Sequence, residues 1–242
     1  MIAVLLVQAC SQGQRSSGPV AIKLPEKLRQ LDGQLAALDH LSPNLRGSQL
    51  YRSLEKDYSL AEMKKVAERG NSMAMLLLGF YHKHQQPDGL LDPAAVAFQM
   101  ACDMGNSLGC VNLGTLYDWP GQPFAEPHWR NPNHQKAFEL YQLACEQNNA
   151  IGCRLWGRQF SRSNLGPADM ARAKALYQRS CDLGNAFGCY DLGTLYYKGR
   201  FVEKDLIKAK SLFDFSCGVA QHQAACLQSK RLSYSLARKE TQ

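Results

Sequence analysis

Nine cysteines are the residues of this 242-residue chain whose number and spacing point most directly to chemistry. Eight of them form four pairs, with partners eight or nine positions apart, and the ninth, Cys10, stands alone. Structural zinc sites space paired ligands by about two to four residues, which does not match, whereas an oxidising compartment favours disulfides. We therefore predict an exported protein with four disulfides: Cys102–Cys110, Cys145–Cys153, Cys181–Cys189 and Cys217–Cys226.

Other residues with catalytic potential are few. Ser53 and Lys56 have the Ser-x-x-Lys spacing of serine β-lactamases, but the Ser-Asp-Asn and Lys-Thr-Gly motifs of those enzymes are absent from the sequence. A solvated helix face is the favoured interpretation of this pair. His82 and His84 are two positions apart near a predicted helix end, so they do not share a helical face and make a poor metal pair. We predict no catalytic residue, no metal and no cofactor.

The elements that carry the cysteines are predicted by internal repetition. The stretch from Cys102 to Cys110 recurs at the other three pairs, loosely at the last, and an earlier copy from Ala67 to Met75 keeps the pattern without thiols. The five copies begin 35, 43, 36 and 36 residues apart. Self-similarity with a period of this length is typical of solenoids, in which each repeat is one supersecondary unit. The sequence therefore predicts an all-α solenoid of five helix-turn-helix repeats.

Local signals mark where the helices of each repeat begin and end. Proline is predicted to start the first helix in several copies because that position needs no amide hydrogen, and Ser59 with Glu62 forms a capping box in the first copy. A left-handed glycine followed by an N-capping asparagine separates the two helices. The prolines are Pro93, Pro132 and Pro167, and the glycine–asparagine pairs are Gly70–Asn71, Gly105–Asn106 and Gly184–Asn185.

The tight turn predicts which cysteines meet. Both cysteines of a pair lie about four residues from the turn, so they stand at the same height on antiparallel helices. Gly109, Gly152, Gly188 and Ala225 beside the second cysteines permit close approach of the helices. Facing Cα atoms then fall within the range that a disulfide spans. We therefore expect each bridge to lie within one repeat.

The beginning of the chain indicates export. Met1 to Ala9 is an uncharged apolar run, too short to span a bilayer, as in a signal peptide. Val7 to Cys10 resembles a bacterial lipoprotein signal box with Cys10 as the lipidated residue, and Ser11 after it goes with outer-membrane sorting. A signal peptide without lipidation, with Cys10 removed or free, is the alternative. We expect residues 1–10 to be this signal, 11–23 a flexible tether, 24–57 two N-terminal capping helices, and 58–242 the solenoid.

The repeat pattern, with Gly-Asn at the turn and Leu-Gly-x-Leu-Tyr in the second helix, resembles the Sel1-like repeat, a relative of the tetratricopeptide repeat. The resemblance covers residues 58–230 and extends to a cysteine-rich, secreted bacterial subgroup. It implies a right-handed superhelix whose concave surface binds proteins or peptides. Two copies depart from the pattern: the first has Ala67 and Met75 in place of cysteines, and the last has Lys230 in place of a second-helix glycine.

The longest spacing between copies contains the best candidate binding residues. The step of 43 residues exceeds the usual 36 by seven, and the extra residues fall between Tyr117 and Gln135. Insertions in a solenoid emerge as loops, tryptophan and arginine are enriched in binding hot spots, and prolines hold a loop in shape. The alternative is that both indoles fold back over the repeat beneath. The predicted partner-binding residues are Trp119, Phe124, His128, Trp129 and Arg130.

We interpret the chain as a monomeric, non-catalytic scaffold in the periplasm, tethered to the outer membrane, that binds a protein partner. The net charge of +7 is mild and its basic residues are scattered, so a nucleic-acid site is disfavoured. Small repeat lipoproteins of this type resemble some immunity proteins, which suggests an inhibitor of a toxin effector in the periplasm. Members of the resembled subgroup have also been described as β-lactamases or penicillin-binding proteins, so β-lactam hydrolysis is the enzymatic alternative. A purely structural role in the envelope is a third hypothesis.

Overall fold

The structure, a computed structural model, describes residue 26 and residues 59–85, 91–118, 133–162 and 168–240. All regular elements in these ranges are helices, and they stack in chain order as five helical hairpins. This confirms the predicted all-α repeat solenoid. The helices are α1 (Leu60–Ala67), α2 (Ser72–Gln85), α3 (Asp92–Asp103), α4 (Ser107–Asp118), α5 (His134–Glu146), α6 (Ala150–Arg162), α7 (Met170–Asp182), α8 (Ala186–Lys198), α9 (Leu206–Ala220) and α10 (Gln223–Glu240).

Several predicted features lie outside the described residues. They include the signal sequence with Cys10, the tether, and the Ser53–Lys56 pair. Of the predicted capping helices only Glu26 is described, exposed and in a helical conformation. In the ranges that are described, each helix is too short or too polar to cross a membrane. The predicted partner-binding residues also lie outside: Trp119, Phe124, His128, Trp129 and Arg130.

The turn inside each repeat has the predicted geometry. Gly70, Gly105 and Gly184 have φ angles of 89°, 84° and 83°, in the left-handed region that glycine enters without Cβ strain. In the third repeat Asn148 takes this position with φ 60°. The following asparagine accepts a hydrogen bond from the backbone N–H three residues on, at 2.8–3.2 Å, in four repeats: Asn71, Asn106, Asn149 and Asn185.

Two of the predicted helix starts are confirmed. Ser59 caps α1, and the capping box is complete because the backbone N–H of Ser59 donates to Glu62 Oε2 at 2.8 Å while the Glu62 N–H donates to Ser59 Oγ at 3.3 Å. Pro93 lies in the first turn of α3. Both signals act through backbone groups that have no partner inside the helix.

The predicted starts of α5 and α7 at Pro132 and Pro167 are wrong. These helices begin two and three residues later, because Asn133 and Asp169 serve as N-caps. Their side-chain Oδ1 atoms accept the backbone N–H groups of Lys136 and Arg172, each at 3.0 Å. A side chain that satisfies an open N–H group defines a helix start more strongly than a preceding proline.

Neighbouring repeats interlock by placing an aromatic ring over a glycine. A Cβ atom added to Gly114 would stand 2.7 Å from a ring carbon of Tyr141, which is 1% exposed. Glycine is therefore needed for the ring to enter. The same contact joins the first helix of each repeat to the second helix of the repeat before it: Gly79 with Phe98, Gly114 with Tyr141, Gly157 with Tyr177 and Gly193 with Phe213.

The fifth repeat lacks the glycine of this contact. Lys230 in α10 occupies the position of these glycines, and its side chain is exposed. In the described residues α10 is packed against α9. A long charged side chain is accommodated because it can remain in solvent.

The four predicted cysteine pairs are bonded in the structure, each within one repeat, with Cα–Cα distances of 4.4–4.8 Å. Small residues beside the second cysteine permit this approach: a Cβ atom on Gly109 would stand 2.7 Å from the backbone nitrogen of Cys102. In the first repeat Ala67 and Met75 replace the thiols and are 3% and 6% exposed. Buried apolar side chains therefore stand in the place of a bridge there.

Candidate functional site

The candidate site is the edge of the solenoid at which one repeat passes into the next, here termed the loop edge. It consists of the ends of α4, α6 and α8, the beginnings of α5, α7 and α9, and the chain between them. The predicted binding residues Trp119 to Arg130 belong to the first of these three junctions. They lie outside the described residues, but the chain on both sides of them is described.

The two ends of the 119–132 segment are tied together. The backbone N–H of Asn133 donates to the carbonyl oxygen of Tyr117 at 2.9 Å. Next to this bond, Asp118 Oδ1 and His134 Nδ1 lie 3.0 Å apart. The chain therefore leaves α4 and enters α5 at one closed point, and the inserted residues do not separate the two repeats.

The other two junctions close with the same backbone bond. Asp169 N–H donates to the Phe160 carbonyl at 3.0 Å, and Asp205 N–H donates to the Tyr196 carbonyl at 3.2 Å. Donor and acceptor are nine positions apart in these junctions (169 − 160 and 205 − 196) and 16 apart in the first (133 − 117). The seven extra residues thus lie wholly between Tyr117 and Asn133.

At all three junctions a cation lies over the aromatic ring of the residue whose backbone carbonyl closes the loop. Lys136 Nζ is 5.2 Å from the Tyr117 ring centroid, the Arg172 guanidinium carbon 5.5 Å from that of Phe160, and Lys208 Nζ 4.5 Å from that of Tyr196. Such contacts contribute about 0.5–1 kcal/mol at exposed sites. The loop edge therefore carries a row of positive charges held over rings.

The N-caps position these cations. Each cation is the third residue after its N-cap and donates its own backbone N–H to the capping side chain, at 2.8–3.0 Å. Our sequence reasoning missed this row. The signal for it was an Asn or Asp followed three residues later by Lys or Arg, recurring every 36 residues: Asn133 and Lys136, Asp169 and Arg172, and Asp205 and Lys208.

Between the fourth and fifth repeats the loop edge opens into a cleft of about 730 Å³. This volume lies within the range of ligand sites, about 300–1,000 Å³. The cleft is lined by the ring of Tyr196 and by three lysines, Lys174, Lys204 and Lys208. The other lining residues are the apolar Val202, Leu206, Ile207 and Leu236 and the acidic Glu203 and Asp205. The cleft was not predicted from the sequence, because its walls come from two repeats.

A second polar cluster joins the third, fourth and fifth repeats. Arg154 Nε of α6 lies 2.6 Å from Asp191 Oδ2 of α8. Burial raises the pKa of Asp191, against the opposing effect of Arg154. The ring of His222, in the turn before α10, stands edge-on to Tyr190 with centroids 4.5 Å apart. The pKa of His222 is lowered, mainly by burial and to a smaller extent by the positive charge of Arg154. These contacts join the repeats, and the Ser216 hydroxyl lies 3.5 Å from His222 Nδ1.

The lowered pKa of His222 predicts a pH dependence of stability. The folded protein binds the His222 proton less strongly than the unfolded chain, whose histidine pKa is near 6.5. Stability is therefore expected to fall as pH decreases through 6.5 towards the lowered value, because the unfolded state takes up more protons. Thermal denaturation between about pH 7 and 5.5 should show a shallower decline for His222→Gln than for the parent. Parallel declines would assign the effect to other groups.

The fold defines an α-helical repeat scaffold whose stacked hairpins present a continuous edge of caps, rings and cations. The chain contains three Sel1 repeats: the Sel1 repeat family model matches residues 108–149, 152–185 and 186–217. Proteins built from these repeats are protein-interaction scaffolds, and typically not enzymes. A comparison with curated proteins finds no match.

Solved structures share the fold. A Sel1 repeat protein from Oxalobacter formigenes is 21% identical, with a TM-score of 0.57 over 72% of this chain and 69% of its own. The protective antigen c5321 of uropathogenic Escherichia coli is 19% identical, with a TM-score of 0.64 over 86% of this chain and 44% of its own. The immunity protein Pa5087 from Pseudomonas aeruginosa is 20% identical over 80% of this chain and 66% of its own. Its TM-score of 0.47 is too low to bear on function.

Proposed function

We propose that this protein is a non-catalytic scaffold of the bacterial cell envelope that binds a protein partner through its loop edge and concave face. The inserted segment with Trp119, Phe124, His128, Trp129 and Arg130 is the centre of the binding surface. The observation that carries the proposal is the common closure of the three junctions. A seven-residue insertion on an otherwise constant stem adds surface without altering the solenoid, as is typical of binding loops on repeat scaffolds.

The bridges support a location in the periplasm. Four intra-repeat disulfides are expected to persist in an oxidising compartment and not in a reducing cytosol. We propose that Cys10, which takes no part in these pairs, carries a lipid that anchors the protein to the outer membrane. In its most specific form the proposal is an immunity protein whose partner is a toxin effector that acts in the periplasm.

Affinity capture with the tagged mature protein tests the binding proposal. We expect Trp129→Ala and Arg130→Ala to reduce recovery of the partner from a periplasmic extract about tenfold or more, because hot-spot residues of these types contribute about 2 kcal/mol or more. Tyr234→Ala is the matched control, since Tyr234 is an aromatic residue 65% exposed on α10, outside the loop edge. Quantitative mass spectrometry of the eluates provides the measurement.

Equal recovery with the loop variants and the parent would overturn the role of the inserted segment. Loss of the partner with Tyr234→Ala but not with Trp129→Ala would place the interface at the last repeat instead. For the immunity form, the captured partner should arrest growth when directed to the periplasm, and coexpression of this protein should relieve the arrest.

A further inference from the structure

We propose that the cleft between the fourth and fifth repeats binds an acidic segment of the protein partner, with carboxylates beside apolar side chains. The inference deepens the proposed binding function and rests on it. It identifies a second contact region, the cleft around the Tyr196 ring, and the kind of ligand that this region recognises.

The charge of the cleft is the first observation. The ammonium groups of Lys174, Lys204 and Lys208 line it, and in the part of the chain that the structure describes no carboxylate lies within ion-pair distance of them. Glu203 and Asp205 also line the cleft. The Asp205 carboxylate is engaged as the N-cap of α9, where its Oδ1 accepts the Lys208 N–H at 2.8 Å. The three lysines and two carboxylates of the lining therefore leave the cleft with a net charge of +1.

The arrangement around Tyr196 is the second observation. Lys208 Nζ is 4.5 Å from the ring centroid and Lys174 Nζ is 5.9 Å from it, so two cations from different repeats share one ring. A carboxylate bound beside Tyr196 would be attracted by both ammonium groups. Cation–ring contacts hold both groups in place before a ligand arrives, which reduces the entropy cost of binding.

The preceding junction is an internal comparison in which the corresponding place is filled. Phe138 occupies the position of Lys174, seven residues before the first cysteine, and packs edge-on against Phe160 at 5.3 Å between centroids. Arg172, the counterpart of Lys208, is neutralised by Asp169 at 3.2 Å. Aromatic packing and an ion pair thus satisfy the junction between the third and fourth repeats internally. The junction between the fourth and fifth repeats has Lys174 in place of the phenylalanine, and its Lys208 hydrogen-bonds the Tyr196 side chain and forms no ion pair in the described residues.

The apolar wall of the cleft excludes a simple inorganic anion as the intended ligand. Ile207 is 74% exposed in the first turn of α9, and Val202, Leu206 and Leu236 continue its surface. Covering such side chains is favourable by about 25 cal/mol per Å² of apolar surface. A ligand that satisfies the whole cleft therefore combines carboxylates with apolar groups, as a segment of a protein partner does.

Fluorescence anisotropy with the full, oxidised chain tests the inference. The probe is a short fluorescein-labelled peptide of alternating glutamate and leucine, compared with the same peptide carrying glutamine in place of glutamate. The cleft variant is Lys174→Glu with Lys208→Glu; glutamate in the first turn of a helix is favourable, so α9 is retained. The control is Lys64→Glu with Lys65→Glu, which makes the same charge change at exposed positions of α1.

We expect saturable binding of the glutamate peptide. Its affinity should fall about tenfold in the cleft variant, because two charges at the rim of the cleft are reversed. The control variant should bind as the parent does, and the glutamine peptide should bind poorly. Equal weakening in both variants, equal binding of both peptides or no binding at all would overturn the inference. So would cleft-dependent binding to vesicles containing phosphatidylglycerol without binding of the peptide, since the occupant would then be a membrane.

Partner capture separates this inference from the proposed function. If the parent and the cleft variant recover a loop-dependent partner equally well, the cleft inference fails and the proposed function stands. If the parent recovers no partner while the peptide binds in the cleft, the envelope-scaffold proposal fails and the chemistry of the cleft is supported.

Discussion

Replacing Gly114 by alanine is expected to destabilise the protein by about 1–3 kcal/mol, the usual cost of overpacking a filled core. The added Cβ would stand 2.7 Å from a ring carbon of Tyr141, a side chain that is fully buried between repeats. Alanine is the better helix former by about 1 kcal/mol, so the steric cost must exceed that gain. Chemical denaturation of the oxidised protein, with the midpoint and the slope both recorded, measures the change.

Gly218→Ala is the matched control for this prediction. Gly218 lies in α9, and a Cβ atom added there meets nothing within 4 Å. The control is therefore expected to be neutral or stabilising by a few tenths to 1 kcal/mol. If Gly114→Ala behaved like Gly218→Ala, the ring-over-glycine contact would not be a determinant of repeat stacking.

A double-mutant cycle can assign the effect to the ring. Tyr141→Leu removes the ring atoms that the new Cβ would meet, so Gly114→Ala should cost less in that background than in the parent. A coupling free energy of about 0.5–3 kcal/mol is expected for residues in direct contact. Additive changes would show that the strain arises elsewhere in α4.

Removal of the Cys145–Cys153 bridge is expected to lower the free energy of unfolding by about 2–4 kcal/mol. The chain-entropy model gives about 2.5 kcal/mol for a loop of this length, and both side chains are fully buried, so Cys145→Ala with Cys153→Ala also loses packing. Equilibrium unfolding of this variant against the oxidised parent provides the measurement. A variant as stable as the parent would mean that the bridges have no stabilising role.

The first repeat suggests how to separate these two contributions. There Ala67 and Met75 fill the place of a bridge with buried apolar atoms. Cys145→Ala with Cys153→Met reproduces that pair and should recover the packing part of the loss, while the entropy part remains. If the methionine variant is no more stable than the alanine variant, the bridge acts through chain entropy alone or the larger side chain does not fit.

The local features of the fold were predictable because a few neighbouring residues determine them. A glycine such as Gly105 is required by its φ angle, the capping box of Ser59 and Glu62 by backbone groups three residues apart, and the cysteine pairing by the height of both thiols above a tight turn. Each of these signals acts within about ten residues. Repetition then strengthened them, because the same signal recurs in copy after copy.

The features that the sequence analysis missed depend on contacts between repeats. The role of Gly114 is visible only when Tyr141, 27 positions later, lies against it. The cleft exists because Lys174 and Lys208, 34 positions apart, converge on Tyr196. The misplaced starts of α5 and α7 are a local exception, because the caps Asn133 and Asp169 act on N–H groups three residues later. Asn133 closes the loop through its backbone N–H, which donates to the Tyr117 carbonyl, and caps α5 through its Oδ1, which accepts the Lys136 N–H.

The sequence by itself determined the repeat, its two helices, the turn between them and the bridge that closes it, because helical periodicity, left-handed glycine and cap chemistry act over short stretches of chain. Only the tertiary structure decided how repeats stack, which glycines admit a ring, and where lysines and apolar side chains meet to form the cleft. These properties arise from the packing of residues distant in sequence, and packing is determined by the relative placement of helices.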